Sequence, residues 1–180
     1  NPYKEEDPVY FGHYGGVNNR ASIYYDSQKE MDGWNTVGFD DQSWQNATVV
    51  DRSNYQLYAQ LVSEEKEKEW MEPVSITQQG DKWLVDFGKC LTGWPELKLH
   101  NNAAGSQVKI QYWEVEQGWG DAGYDTYVCS GGEETFKTPY VRHTSFRLLE
   151  ISGYQGELTA DDVKGIVAYS DVDLQGSSPE

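Results

Sequence analysis

The sequence predicts an all-β protein, with residues 1–180 forming a single β-sandwich of the jelly-roll type. Short stretches of alternating apolar and polar residues recur along the chain, and the clearest lie between residues 82 and 116. Because successive side chains of a strand point to opposite faces, this alternation indicates strands with one buried face. Turn-forming residues separate these stretches, and no segment shows a convincing amphipathic helical pattern. Frequent short strands joined by turns are typical of a two-layer sandwich.

The first part of the chain is predicted to hold one short strand and several loops. Residues 21–25 form a strand candidate, and residues 47–50 are expected to lead into another strand. The loop from Phe39 to Trp44 is expected to be pinned to the core by these two rings. The charged run at residues 63–69 is expected to be a solvated linker, with a helical turn as the alternative.

The rest of the chain is predicted to supply the remaining strands. Pro73 marks the edge of one of them, and residues 101–106 carry the turn chemistry between two central strands. Residues 117–123 are rich in glycine and are predicted to form a loop that holds Trp119. The predicted strands of this part are residues 72–76, 83–87, 97–100, 108–113, 124–129, 146–151 and 163–169.

Composition narrows the classes of partner. Thirty acidic against fourteen basic residues give a formal net charge of −16, so nucleic acid and anionic membranes are poor partners for this surface. No apolar run approaches the roughly 18 residues that a membrane span requires. The chain is therefore expected to be soluble, secreted and extracellular, with any secretion signal already removed or never present. A share of the carboxylates could bind a hard cation such as calcium, which prefers oxygen ligands.

The two cysteines, Cys90 and Cys129, leave two alternatives open. A disulfide between them would add on the order of 4 kcal/mol in the loop-entropy model. Two separate buried thiols are the other alternative. Metal-site spacing of cysteines is absent from the sequence.

Three groups of motifs resemble the β-sandwich domain that accompanies bacterial and fungal α-L-rhamnosidases, also classed as a family 67 carbohydrate-binding module. The resemblance covers roughly residues 21–172 and rests on the order and spacing of the motifs. They are Tyr25-Asp26-Ser27-Gln28-Lys29-Glu30, Gly33-Trp34 and Gly38-Phe39-Asp40-Asp41-Gln42-Ser43-Trp44; Val85-Asp86-Phe87-Gly88-Lys89-Cys90-Leu91-Thr92-Gly93-Trp94 and Gln111-Tyr112-Trp113-Glu114-Val115; and Asp125-Thr126-Tyr127, Gly131-Gly132-Glu133-Glu134, Phe146-Arg147 and Gly165-Ile166-Val167-Ala168-Tyr169-Ser170-Asp171-Val172.

This sequence departs from the pattern of the family at two places. Cys90 stands where the family usually has Asn, and the loop at residues 117–123 is shorter than its counterpart. The catalytic part of such enzymes resembles a large helical barrel, for which the predicted β-rich domain leaves no room.

The resemblance implies a non-catalytic, lectin-like module that recognises terminal L-rhamnose on plant or microbial polysaccharide with the help of calcium. It also implies that the module targets an attached, larger glycoside-degrading enzyme. A sugar-free spacer domain of an α-L-rhamnosidase is the alternative from another class, and a small hydrolase or lyase is a third. Thirty acids make carboxylate pairs inevitable, and the three histidines show no spacing to a nucleophile or metal, so catalysis by this chain is not expected.

The resemblance also implies which residues form the site. The calcium ligands would be Asn18 and Asn19, which follow a glycine turn, together with the carbonyl of Pro73. The alternative for the asparagine pair is simple turn formation. Asp26 is the nearest carboxylate in sequence, and Lys89 is a possible donor to a sugar hydroxyl or a uronate. The candidate aromatic walls are Tyr14, Trp34, Trp119 and Tyr124.

Overall fold

The computed structural model describes residues 23–50, 56–137 and 144–172. These residues form nine strands and one short 3-10 helix, Ser27–Lys29, so the prediction of an all-β sandwich is confirmed. The strands are β1 (Ile23–Asp26), β2 (Glu65–Met71), β3 (Ser75–Gln79), β4 (Lys82–Leu99), β5 (Gln107–Glu116), β6 (Trp119–Val128), β7 (Glu134–Lys137), β8 (Thr144–Ser152) and β9 (Val163–Ser170). No helix in these ranges is long and apolar enough to cross a membrane.

The 18-residue strand β4 joins the two layers of the sandwich. Its first part pairs with β3 and β8, and its second part pairs with β7 and β9. A register shift between Asp86 and Leu91 marks the point where the strand turns from one layer to the other. The hydrogen-bonded order is β1-β6-β5-β8-β4-β9-β2. We call the layer formed by β1, β6, β5, β8, β3 and the first part of β4 the first layer, and the rest the second.

The core lies between these layers and is built from the inward residues of the alternating strands. The ring of Phe146 meets Phe87 and Tyr112 edge to face, with centroids 5.7 and 5.5 Å apart. Full burial of one such side chain stabilises the fold by about 1.5–3 kcal/mol. Gly165 of β9 leaves the space these residues need, because a Cβ there would lie 2.8 Å from Leu91 Cδ2 and 3.1 Å from Phe87 Cε1.

Most of the charged run of residues 63–69 lies in the paired strand β2, which begins at Glu65, so the prediction of a solvated linker was wrong. Residues of β2 pair antiparallel with β9 along its length. Its charges are matched by partners: Lys66 and Lys68 both bind Asp171, and Glu67 binds Lys137. Alternating signs of charge can therefore form a strand at a sheet end when the neighbouring elements supply the opposite charges.

One expectation for residues 31–50 was also wrong, and another falls partly outside the described residues. Residues 47–50 are not themselves in a strand, and Val49 is 96% exposed, while residues 51–55, into which they lead, lie outside the described residues. Phe39 and Trp44 contact each other, with centroids 5.5 Å apart, but neither belongs to the described residues that pack against the core. Trp44 stays 44% exposed. The two rings therefore hold this loop to itself rather than to the sandwich.

The remaining corrections concern residues 117–123 and the cysteines. Gln117 and Gly118 make a tight turn, with Gly118 at φ +86°, and a strand begins at once at Trp119. Cys90 and Cys129 are free thiols, so the disulfide alternative was wrong. Cys129 is buried as expected, but Cys90 is exposed on the turning part of β4.

Candidate functional site

The face of the first layer that points away from the core carries a group of polar and aromatic side chains. On β5, Lys109 and Gln111 alternate with the fully buried Val108, Ile110 and Tyr112, and so point outward. Cross-strand pairing then sets Gln111 beside Glu150 of β8 and Tyr124 of β6. We call this surface the outer face. Its members are Lys82, Lys109, Gln111, Gln117, Trp119, Tyr124 and Glu150.

A register shift in the β5–β6 hairpin brings Trp119 and Tyr124 to the same side of β6. Between the pairs Gln111–Tyr124 and Trp113–Asp121, β6 contains one residue more than β5. This bulge changes the alternation, so two residues five positions apart share a face instead of opposing each other. The Gln111 amide holds the bulge by donating to the Gly123 carbonyl at 2.8 Å.

The two aromatic rings differ in how open they are. Trp119 is 69% exposed, whereas Tyr124 is 41% exposed and has the Lys109 ammonium 4.0 Å from its centroid. Lys109 therefore covers part of the Tyr124 ring in a cation–π contact. Trp119 provides an open aromatic plane near the hairpin tip, and Lys109 with Tyr124 provides polar groups roughly 15 Å further along the same face, at the rise of an extended strand.

Glu150 is the fixed acceptor at the centre of the outer face. It accepts hydrogen bonds from Lys82 at 2.7 Å and from the Gln117 amide at 2.6 Å. The second bond shows that the tip of the β5–β6 hairpin folds over the sheet. Burial raises the pKa of Glu150, but the hydrogen bonds from Lys82 and Gln117 outweigh it, so the pKa lies below its usual range. This carboxylate is ionised at neutral pH.

Asp86 and Arg147 form an ion pair at one end of the first layer. The Arg147 guanidinium donates to both carboxylate oxygens of Asp86, at 2.9 and 2.8 Å. These bonds lower the pKa of Asp86, burial opposes them, and a hydrogen bond from the Gly88 amide lowers it further. Such bidentate pairs are rigid and directional.

This arrangement suits recognition of a polyhydroxylated ligand better than acid–base catalysis. An open indole plane offers an apolar surface, while ammonium, amide and carboxylate groups on the same face can hydrogen-bond hydroxyls. A glycosidase acid needs a raised pKa, and the pKa values of both Glu150 and Asp86 are lowered by their partners.

Comparison with known families identifies the domain. Residues 76–169, more than half of the chain, match the bacterial α-L-rhamnosidase concanavalin-like domain. The chain belongs to this family.

The relatives of this concanavalin-like domain are much longer proteins. An α-L-rhamnosidase of Formosa agariphila is 26% identical over 187 residues, which cover 94% of this chain and 19% of that protein. An α-L-rhamnosidase of Streptomyces avermitilis is 28% identical over 158 residues, covering 81% of this chain and 15% of that protein. The chain thus spans less than a fifth of the length of these relatives.

Solved structures agree with the fold. The α-L-rhamnosidase from Dictyoglumus thermophilum has a TM-score of 0.74 at 28% identity, covering 84% of this chain and 18% of that one. The Streptomyces avermitilis α-L-rhamnosidase, solved in complex with L-rhamnose, has a TM-score of 0.72 at 27% identity, covering 83% of this chain and 16% of that one.

Of the predicted site residues that the structure describes, two lie on the same face. Trp119 and Tyr124 share the outer face, while Tyr14, Asn18 and Asn19 lie outside the described residues. Asp26 pairs with Val128 at the opposite end of β6 from Trp119, about 30 Å away at the rise of an extended strand.

The side chain of Asp26 has a structural role, since it accepts from the Gln28 amide at 3.2 Å and pairs with Lys29 at 3.5 Å. Trp34 is 53% exposed in the turns after β1, and its amide donates to the Met31 carbonyl. Neither residue belongs to the outer face.

The described part of the chain does not by itself fit a calcium site. No group of three or more His, Cys, Asp or Glu residues within it is arranged to hold a metal ion. Of the three predicted ligands it contains Pro73, half-buried between β2 and β3, which offers one neutral carbonyl. The nearby Asp86 is engaged by Arg147 and by the Gly88 amide. We therefore derive no step through calcium.

His100 is held by structural carboxylates and is not a candidate catalytic residue. Its two ring nitrogens contact Glu133 and Asp162, the latter at 2.8 Å. The hydrogen bond with Glu133, and then the one with Asp162, raise the pKa of His100 above its usual range. This cluster ties the loop after β4 to the loops before β7 and β9.

Sequence reasoning missed Lys109, Gln117 and Glu150. For Lys109 and Glu150, alternation with buried neighbours could have shown that they point outward. Their convergence depends on cross-strand register and on the bulge near Gly123, neither of which has a clear signal in one sequence.

Proposed function

We propose that this concanavalin-like domain is a non-catalytic carbohydrate-binding module, of the family 67 type, that recognises L-rhamnose-containing polysaccharide. The observation that carries this proposal is the outer face, where a 69% exposed Trp119 shares one face of the sheet with fixed polar groups. Attachment to a larger α-L-rhamnosidase is the second part of the proposal. It is supported by the relatives, of which this chain matches less than a fifth.

L-Rhamnose suits such a surface because it combines an apolar methyl group and C–H edges with vicinal hydroxyls. The indole plane of Trp119 packs against the apolar side of the sugar. The Glu150 carboxylate keeps lone pairs for sugar hydroxyls, and the Lys109 ammonium, which lies at Tyr124 further along the face, donates to oxygens of a neighbouring unit of the polysaccharide. Few atoms are buried in such a contact, so the monosaccharide binds with micromolar to millimolar Kd.

Calcium assistance and secretion belong to the same proposal and rest on the sequence resemblance. Calcium binding by Asn18, Asn19 and the Pro73 carbonyl stays a prediction. Repeating each binding experiment with a chelator tests whether calcium is needed. The outcome does not change the assignment of the outer face.

A spacer domain is the second candidate, because one segment of the described chain exposes several large apolar residues. Leu57, Tyr58, Leu61 and Val62 are 74–97% exposed. Such a surface is characteristic of packing against another protein part. The spacer function requires that the isolated chain bind no sugar.

Calorimetric titration of L-rhamnose, with and without a chelator, tests the proposal. We expect the parent chain to bind, and Trp119→Ala to weaken binding at least about tenfold, a loss of about 1.4 kcal/mol. The melting temperature should stay nearly unchanged, because the side chain is exposed.

Trp34→Ala is the matched control, since that ring is also exposed but lies outside the outer face. It should bind like the parent. Loss of affinity in Trp34→Ala but not in Trp119→Ala would overturn the assignment. An absence of binding by the parent chain, with and without calcium, would favour the spacer.

A further inference from the structure

A second cleft opens where β4 leaves β9 and turns toward the first layer. The two strands pair as far as Gly93 and Val167, after which β4 pairs with β8 instead. β9 continues beside β2 to Ser170. The gap between them has a volume of 370 Å³, within the range of small-molecule sites. We call it the β4–β9 cleft, and its lining shares no residue with the outer face.

The lining of the cleft is apolar in one part and aromatic in another. Leu91 and Ala168, which line it, are only 5% and 3% exposed. Tyr169 also lines it and is 46% exposed. The Tyr169 hydroxyl lies 3.4 Å from Glu69, and the Lys68 ammonium lies 5.9 Å from the centroid of the ring. Leu91, Ala168 and Tyr169 offer an apolar surface for the C–H groups of a ligand.

Groups of both charges line the same cleft. Glu69 and Lys89 are exposed, and the Thr92 hydroxyl shares a hydrogen bond of 3.2 Å with Ser145. Within the described ranges, no ion pair joins Lys89 to another residue. Its ammonium therefore has donors available for a ligand, while Glu69 has acceptors.

This combination selects among ligand classes. An anionic ligand would meet one ammonium but also the Glu69 carboxylate and the field of a chain with net charge −16. A purely apolar ligand would make use of neither the Lys89 ammonium nor the Glu69 carboxylate. A neutral polyhydroxylated ring satisfies both requirements, since its hydroxyls accept from Lys89 and donate to Glu69 while its C–H edge meets Leu91 and Tyr169.

We propose that the β4–β9 cleft binds one residue of a neutral saccharide, as a site separate from the outer face. This inference rests on the proposed function for its class of ligand, a saccharide. The residues that would bind that ligand are different ones. A chain with two sites of millimolar Kd would hold a polysaccharide more tightly than either site alone, where one chain of sugar can reach both.

Cys90 gives a direct readout of this cleft. It lines the cleft and is exposed, whereas Cys129 is fully buried and serves as an internal control. Burial, followed by the nearby Glu114, raises the pKa of Cys90, so alkylation should be measured at about pH 8.5 or above. The probes are L-rhamnose, L-fucose, D-galactose, D-glucose and D-mannose, each to about 50 mM, well above a millimolar Kd.

We expect at least one of these sugars to slow alkylation of Cys90 by iodoacetamide about threefold or more, following 1 + [L]/Kd. Tyr169→Ala and Lys89→Met should remove most of this protection. Lys98→Met, a change elsewhere on the same strand β4, should keep it. Protection by none of the sugars, or equal protection in Tyr169→Ala and the parent, would overturn the proposal.

The Trp119→Ala variant distinguishes binding in the β4–β9 cleft from binding at the outer face. It should weaken binding at the outer face but leave the protection of Cys90 intact. Loss of both in this variant would show that the cleft is not a separate site. Protection that persists while the outer face binds nothing would contradict the outer-face assignment and support the cleft.

Discussion

The two faces of the first layer are made by the same strands and differ in almost every physical property. The inner face of the β5–β6 hairpin includes Ile110, Tyr112 and Asp125, all of which are 0% exposed. The outer face of the same hairpin carries Lys109 and Tyr124, which are exposed and contact each other. One alternating sequence therefore builds the core on one side and the proposed sugar-binding surface on the other. Substitutions on the two faces should therefore affect different measurements.

Asp125 is the point on the inner face where a single change should have the largest effect. Its carboxylate accepts from the Tyr112 hydroxyl at 2.5 Å and from the Ile23 amide at 3.1 Å, which ties β1 to the hairpin. Asp125→Ala leaves these buried donors without their acceptor, and each such group costs about 1–3 kcal/mol. We expect the free energy of unfolding, measured by urea denaturation, to fall by about 2–4 kcal/mol.

The neighbouring residue provides the control for this change. Thr126 is only half-buried and follows Asp125 directly on β6. Thr126→Ala should lower the free energy of unfolding by less than about 1 kcal/mol. Equal stability of Asp125→Ala and the parent would show that the buried carboxylate does not hold β1 in place.

Glu150 on the outer face should contribute less to the free energy of unfolding than Asp125 does, and only above acidic pH. The bonds from Lys82 and Gln117 hold its pKa in the folded state below that in the unfolded state. Its stabilising contribution is therefore present above the unfolded value of about 4.3 and is lost as pH falls through the folded value. Since Lys82 is 45% exposed, Glu150→Gln should cost less than about 1 kcal/mol at pH 7.

Thermal unfolding of Glu150→Gln and the parent as a function of pH checks this prediction. The difference in stability should shrink as pH falls through the acidic range. Glu157→Gln is the control, since Glu157 is exposed and makes none of these contacts. A difference between Glu150→Gln and the parent that is the same at acidic and neutral pH would contradict the assigned cause.

The sequence was sufficient for strands whose alternation was clear. β5, β8 and β9 were predicted within a few residues, because apolar residues such as Val108, Ile110 and Ile151 repeat with a period of two. β2 was missed, because its residues are mostly charged and its pairing depends on partners as distant as Asp171. Charge patterns alone do not distinguish a solvated linker from a strand with matched neighbours.

Only part of the candidate site was predictable, because the positions of the other side chains depend on pairing between strands. Trp119 was predicted as an aromatic wall in a glycine-rich loop; it lies instead at the start of β6, where its side chain is 69% exposed. The side chains beside it come from β5 and β8, and their positions depend on a bulge that shifts the register by one residue. A single sequence contains little information on register, so Lys109 and Glu150 were not predicted. The calcium ligands Asn18 and Asn19 stay predictions.

The central claim is that the outer face binds the sugar, and residue-resolved NMR tests it most directly. In a titration of the ¹⁵N-labelled chain with L-rhamnose, we expect the largest shift changes at the Trp119 indole N–H, the Gln117 side-chain amide and the Lys109 backbone amide. The inner-face amides of Ile110 and Asp125 should change much less. If none of these three outer-face signals changes its chemical shift at saturating L-rhamnose, this account is contradicted.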